Sequence, residues 1–163
     1  MGRRTSWGGV PCPIARAVDV LGEPWTLLIL RNATTGTTRF DAFRADLGIA
    51  DNVLAARLTR LVEAGLLVRR PYRDGGRTRE EYRLTQAGAD ALPVLEALGA
   101  WGTRHTTPAE PAEPMQVVHL ACGEPTAPGA TCDACGALLR RAELGWRRPW
   151  RSPDPVPLAE PVT

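Results

Sequence analysis

The chain has 163 residues, 44% of them hydrophobic and 23% charged, with a formal net charge of +2. That length suits one domain with an appendage, and the ordinary apolar fraction is enough for a packed core. No apolar run approaches the roughly 20 residues of a membrane-spanning helix, and none follows the basic start "MGRRTSWGGVP", so neither a span nor a secretory leader is expected and the predicted location is the cytoplasm.

All 20 basic residues are arginine, read here as compositional bias. Their distribution carries more information than the total. Residues 1–105 hold 15 Arg against 11 Asp and Glu, residues 106–163 hold 5 against 7, and residues 57–83 alone hold 8 against 4. A local basic excess on a nearly neutral chain points to a polyanionic partner. The four cysteines, Cys12, Cys122, Cys132 and Cys135, are expected to be metal-binding or redox-active in a cytoplasmic chain.

Residues 1–11 are expected to form a flexible start. Ile14, Val18 and Leu21 after Cys12-Pro13 predict a first helix that Gly22 ends. Pro24 opens a second, with Trp25, Leu28 and Ile29 on one face, running to about Thr35. Thr38 and Asp41 read as a capping box for a third helix that buries Phe40, Phe43 and Leu47. Asp51 is the predicted N-cap of a fourth, about 52–64, whose stripe is Leu54, Leu58, Leu61 and Val62. Its other side carries Asn52, Ala56, Arg57 and Arg60. Two short helices across a tight turn, the second with a small, polar and basic outer face, suit a helix-turn-helix whose second helix enters the major groove. A helical hairpin with solvated arginines fits the same pattern.

Next comes "LLVRRPYRDGGRTREEYRL". Its strand-like flanks and Gly75-Gly76 predict a β-hairpin with arginines on both arms, a wing over about 69–83 that would grip the sugar-phosphate backbone. A solvated edge hairpin is the alternative. Thr85 caps a predicted helix over about 86–104, kinked at Pro93, with Val94, Leu98 and Trp101 on one face. So wide an apolar arc suits a dimer contact, shared with the first helix.

Cys12-Pro13, "EPWTLLILRNATTGTTRFDAF", "LAARLTRLVEAGLLVRR", "EYRLTQAG" and "VLEALGAW" occur here in an order that resembles the HxlR-type bacterial transcription regulators, relatives of the MarR-like winged helices. The resemblance spans roughly residues 10–104. It implies a homodimeric winged helix on an inverted-repeat operator, with DNA contacts from Arg39, Arg57 and the wing arginines Arg73, Arg77 and Arg79. It also makes Cys12 a candidate redox sensor, because some relatives sense oxidants or electrophiles through an N-terminal cysteine; Arg16, one turn on, could lower its pKa. Two departures stand out. Gly22-Glu23-Pro24 replaces a common Gly-Gly-Lys, and Gly75-Gly76-Arg77-Thr78 replaces a wing with proline before its second strand.

Beyond residue 105 the resemblance stops. Residues 106–114 read as a Pro- and Glu-rich linker. Within 115–145, His119-x2-Cys122-Gly123 and Cys132-x2-Cys135-Gly136 repeat one form, ligand-x2-ligand-Gly. One His and three Cys make a closed tetrahedral set for one structural zinc ion per chain, on a small zinc-ribbon-like segment. Three reduced thiols beside an unrelated His are the alternative. Residues 146–163, rich in proline, are expected to be disordered at least from Ser152.

The expected architecture is therefore α+β, mainly helical: a winged helix-turn-helix over 12–105 followed by a small β segment. The function read from it is a DNA-binding regulator, a repressor that partners double-stranded DNA and a second copy of itself. A small molecule or oxidant is its expected effector. A protein-interaction winged helix without specific DNA binding is the competing reading. An enzyme is disfavoured, since neither of the two His residues lies in a Ser/His/Asp or paired-carboxylate setting and no glycine loop precedes a helix. No organic cofactor is expected.

Overall fold

The computed structural model describes residues 6–110 and 112–162; part of the predicted flexible start, residues 1–5, lies outside them. Helices α1 (Pro13–Leu21), α2 (Pro24–Thr34), α3 (Phe40–Leu47) and α4 (Asp51–Glu63) come first. Strands β1 (Leu67–Asp74) and β2 (Arg77–Leu84) follow, then helices α5 (Gln86–Ala89) and α6 (Leu92–His105). The C-terminal part contributes β3 (Gln116–His119), β4 (Glu124–Pro125), a 3-10 turn (Arg141–Glu143), β5 (Leu144–Arg148) and β6 (Ser152–Pro157). Among the described residues no helix is long and apolar enough to cross a membrane.

The stripes predicted for α2, α3 and α4 supply the core, whereas Ile14 and Val18 of the predicted α1 stripe and Val94, Leu98 and Trp101 of the last helix stay exposed. Ile29 and Leu30 of α2, Phe43 of α3, Leu54, Leu58 and Leu61 of α4 and Leu67 and Leu84 of the hairpin are all buried together. Gly48, at φ 61, ends α3 in the left-handed conformation that a side chain would oppose. β1 and β2 pair without a break from Leu67↔Leu84 to Asp74↔Arg77, longer than predicted. Gly75 and Gly76 make the two-residue turn, both with positive φ (54° and 82°), as a type I′ hairpin requires.

Several local expectations are corrected. Thr38 does not cap α3. Arg39 holds the cap position, and the Thr38 hydroxyl instead donates to Glu81 Oε2 at 2.9 Å. The chain there is extended and pairs with the wing, Arg39 opposite Glu81, so strand pairing outcompetes the capping box. Asp51 is the first residue of α4 rather than its cap; Ala50 takes that place, and the Asp51 carboxylate lies 3.3 Å from the Arg44 guanidinium. Thr85 does cap α5, accepting from the Gly88 amide at 3.2 Å while its hydroxyl donates to the Gly65 carbonyl. The helix expected over 86–104 is two helices. The chain turns at Asp90-Ala91, which leaves Pro93 in the first turn of α6, where its missing N–H costs nothing.

The largest correction concerns the tail. Residues 152–157 are not disordered but form β6 at the edge of a four-stranded sheet ordered β4-β3-β5-β6. Pro153, Pro155 and Pro157 fall at alternate positions. In a strand, successive N–H groups point to opposite sides, so this spacing puts every missing donor on one side, which an edge strand can leave unpaired. The sheet then docks on the helices. Trp146 and Leu158 are buried in the same core as Ile29 and Leu61. The Ala159 amide donates to the Thr34 carbonyl, and that of Val162 to the Leu84 carbonyl. Arg141 Nε donates to Ala159 and its Nη1 to Ala89. Arg151 pairs with Asp46 at the end of α3.

Candidate nucleic-acid interface and metal centre

α4 buries Leu54, Leu58 and Leu61 and exposes Asn52, Ala56 and Arg60. Arg57, predicted to share that outer face, is turned inward. Its Nη2 lies 3.1 Å from Glu23 Oε2, at the start of α2. Beside α4 stands the wing, joined to the start of α3 by a hydrogen bond from the Tyr82 amide to the Thr38 carbonyl at 2.7 Å. That junction places the Arg39 guanidinium 4.6 Å from the centre of the Tyr72 ring, a cation–π arrangement that holds the side chain in place. Sequence reasoning named Arg39 but had no signal for Tyr72, because the contact depends on the Thr38–β2 pairing.

The wing's charges are partly matched. Arg79 lies 3.5 Å from Asp74 and 3.8 Å from Asp41, and Arg69 lies 3.8 Å from Glu80. Arg73 and Arg77 flank the turn on the outer end of the hairpin, exposed and with no ion pair among the described residues. The structure thus brings Arg39, Asn52, Ala56, Arg60, Arg73, Arg77 and Arg79 to the surface, with Arg57 held behind.

The second constellation lies in the C-terminal sheet. The donor atoms of His119, Cys122, Cys132 and Cys135 all lie within 4.8 Å of one another. His119 Nδ1 is 3.4 Å from Cys122 Sγ and 3.3 Å from Cys135 Sγ, and the Cys122 and Cys132 sulfurs are 3.8 Å apart. Two matching turns produce this. The Gly123 amide donates to the His119 carbonyl and the Gly136 amide to the Cys132 carbonyl, each at 2.8 Å. Both glycines have positive φ, 77° and 73°, which accounts for the glycine after each ligand pair. The amide of Cys135 hydrogen-bonds the Cys132 sulfur and, with that of Ala134, holds its pKa down at about 6 against the opposing effect of burial. A cluster of three sulfurs and one imidazole with this spacing can hold one metal ion.

Cys12 is exposed at the N-cap of α1. Arg16 does not serve it: the guanidinium donates to the carbonyls of Val10 at 2.9 Å and Pro11 at 2.6 Å.

The helices α2, α3 and α4, a hairpin fixed beside the last of them, and a basic outer surface define a winged helix-turn-helix protein of the kind that regulates transcription. Residues 20–110 match the HxlR-like helix-turn-helix family. The chain belongs to that family. An uncharacterized HTH-type transcriptional regulator of Mycobacterium tuberculosis (strain ATCC 25618 / H37Rv), Rv3095, is 42% identical over 144 residues, covering 88% of this chain and 85% of that protein. A match of that length cannot be housed in the winged helix alone and takes in part of the C-terminal sheet. The crystal structure of PA1607, a candidate transcription factor, superposes with a TM-score of 0.69 at 38% identity, covering 83% of this chain and 94% of that one. The redox regulator HypR in its reduced form gives a TM-score of 0.53 at 26% identity, over 57% of this chain and 92% of that one.

Proposed function

We propose that the protein is a homodimeric repressor in the cytoplasm that occludes a promoter by binding an inverted-repeat operator. The observation that carries this reading is the pairing of an exposed small and polar face on α4 with an arginine-edged hairpin fixed beside it. In this reading α4, about 52–64, enters the major groove with Asn52, Ala56, Arg57 and Arg60 toward the bases. The wing, about 69–83, grips the backbone through Arg73, Arg77 and Arg79, and Arg39 does so from the start of α3. Two copies would associate through α1 and α6. α1 has no buried residue, Ile14 is 73% exposed, and Val94, Leu98 and Trp101 line an uncovered apolar stripe on α6.

One zinc ion per chain is the metal this donor set fits. Zinc held tetrahedrally at about 2.3 Å from sulfur and about 2.0 Å from nitrogen spaces its ligands roughly 3.5 to 3.8 Å apart; the separations of 3.3, 3.4 and 3.8 Å lie near that range, within a set that spans up to 4.8 Å. His119, Cys122, Cys132 and Cys135 would fill all four positions, so the ion would be structural and would lock the two turns together. Metal analysis of protein purified without chelator should give one zinc per chain and one reactive thiol, Cys12. No zinc with four reactive thiols would end this part of the reading.

The test of DNA binding is a salt series on a labelled duplex. Affinity should fall steeply with salt, and an Arg73→Gln/Arg77→Gln variant should flatten the log–log slope by about 0.9 for each phosphate that is no longer neutralised. Binding that is absent or indifferent to salt would favour a protein-interaction winged helix instead.

A second reading, regulation by an oxidant or electrophile through Cys12, is supported by that thiol's exposure at the start of α1 and by the likeness to HypR. Its test is whether Cys12→Ser abolishes an oxidant's effect on operator binding.

A further inference from the structure

Arg57 sits on the flank of α4 that faces the α1–α2 junction. Its side chain and that of Glu23 are only 22% and 27% exposed, and they meet at 3.1 Å. The Arg57 Nε is buried with no hydrogen-bond partner, so the ion pair at the outer nitrogen holds the guanidinium while its inner nitrogen is left unsatisfied. Glu23 occupies the N-cap position of α2 in extended backbone, yet its carboxylate makes no capping hydrogen bond. Pro24 fixes the corner that presents it. Asp19 and Glu63 line the same cleft, of 260 Å³, as Glu23 and Arg60. Three carboxylates thus share with Arg60 the cleft on the side of α4 that Arg57 faces. Ala56 next to Arg57, and Arg60 one turn on, are exposed, so a long side chain released from Glu23 can reach the outer edge of the helix.

We propose that Glu23 competes with DNA for Arg57, and that it thereby sets how strongly the protein binds DNA of arbitrary sequence. The inference rests on the DNA-binding reading above. Exchanging a carboxylate for one phosphate replaces one anion by another and leaves Glu23 facing the backbone with like charge. A guanine edge offers two uncharged acceptors in the geometry of the guanidinium fork, which no single phosphate reproduces. Arg57 is then withheld from random DNA and released where the matching base is present, and Glu23 is a specificity-determining residue that never touches the duplex.

The experiment is fluorescence anisotropy on a labelled random-sequence duplex, over a salt series, with wild type, Glu23→Gln, Arg57→Gln and the double variant. Glu23→Gln should bind more tightly and show a slope steeper by about 0.9, the counterions released when one more phosphate is neutralised. Glu23→Ala, which frees the guanidinium by shortening the side chain, should show the same change. In the Arg57→Gln background the Glu23 substitution should leave the slope unaltered. The proposal is overturned if neither Glu23 variant changes slope or affinity. It is equally overturned if the gain is the same size without Arg57, for then Glu23 acts only as a repelling charge. If wild type and both Glu23 variants fail to bind any duplex at the lowest salt, the DNA-binding reading has failed and takes this inference with it.

Discussion

Gly88 and Gly99 look alike in the sequence but are constrained differently. A Cβ on Gly88 would lie 2.1 Å from the Leu66 backbone carbonyl, whereas on Gly99 it would meet only the flexible end of Met115, at 3.2 Å. Gly88→Ala should therefore destabilise the fold by about 3 kcal/mol. Gly99→Ala should be neutral or stabilising by up to about 1 kcal/mol, from helix propensity. Urea midpoints would measure both, and equal effects would contradict the packing described. Glu96 makes a pH-dependent prediction. It is buried, and its carboxylate accepts from Trp146 Nε1 at 3.4 Å. Burial raises its pKa above the ordinary 4.5, with Trp146 and then Arg141 opposing. The folded state therefore holds this proton more tightly than the unfolded state. Stability from this group is present below about 4.5 and is lost as pH rises through the raised value. Glu96→Gln, which keeps an acceptor for Trp146, should remove that loss, so that its advantage over wild type is larger at neutral pH than at pH about 4. A constant difference across the range would show that burial of the charge is not the cause.

At the level of elements, what could be read from the sequence was what repeats. α4 announced itself through Leu54, Leu58 and Leu61, and the wing through Gly75-Gly76. The paired turns of the candidate metal centre were legible because each needs a positive-φ residue after the second member of its His/Cys or Cys/Cys pair, at Gly123 and Gly136. What could not be read depends on contacts between distant segments. The Thr38 hydroxyl had a local use as a cap and a remote use at Glu81, and only the folded wing decides between them. Arg57 has the right spacing for an outer face, but the partner that turns it inward is 34 residues earlier in the chain. β6 escapes a reading that treats proline as a mark of disorder, although the alternation of its prolines carries the strand period. That strand anchors Leu158, 5% exposed, in the helical core. Leu158→Ala should cost about 2 to 4 kcal/mol in the melting of α1–α6, although the residue lies more than 50 positions beyond α6. A melt unaffected by the change would mean that the strand does not dock.

At the level of the whole molecule, winged helix and C-terminal sheet share one core rather than meeting at a linker. β3 ends on His119 of the candidate metal centre and pairs with β5, whose Trp146 is buried in the core shared with the helices. If the cluster holds zinc as proposed, its removal should therefore be felt by helices that contribute no ligand. A chelator is expected to lower the midpoint of the helical circular-dichroism melt in one cooperative transition, and added zinc should restore it. Two separate transitions, with the helical one unmoved, would show that the two parts fold independently.

The alternating prolines of β6 have a further effect, on how copies of the chain can meet. An open sheet is ordinarily an invitation to a neighbour, because its outermost strand carries a row of unused donors and acceptors. Here one border strand has prolines where the outward N–H groups would be, and the opposite border, β4, is only Glu124–Pro125. The sheet cannot readily be extended by another molecule from either side. Growth of this sheet into ribbons or fibrils is opposed, which leaves the apolar faces of α1 and α6 to the proposed dimer, where contact between two copies would be finite.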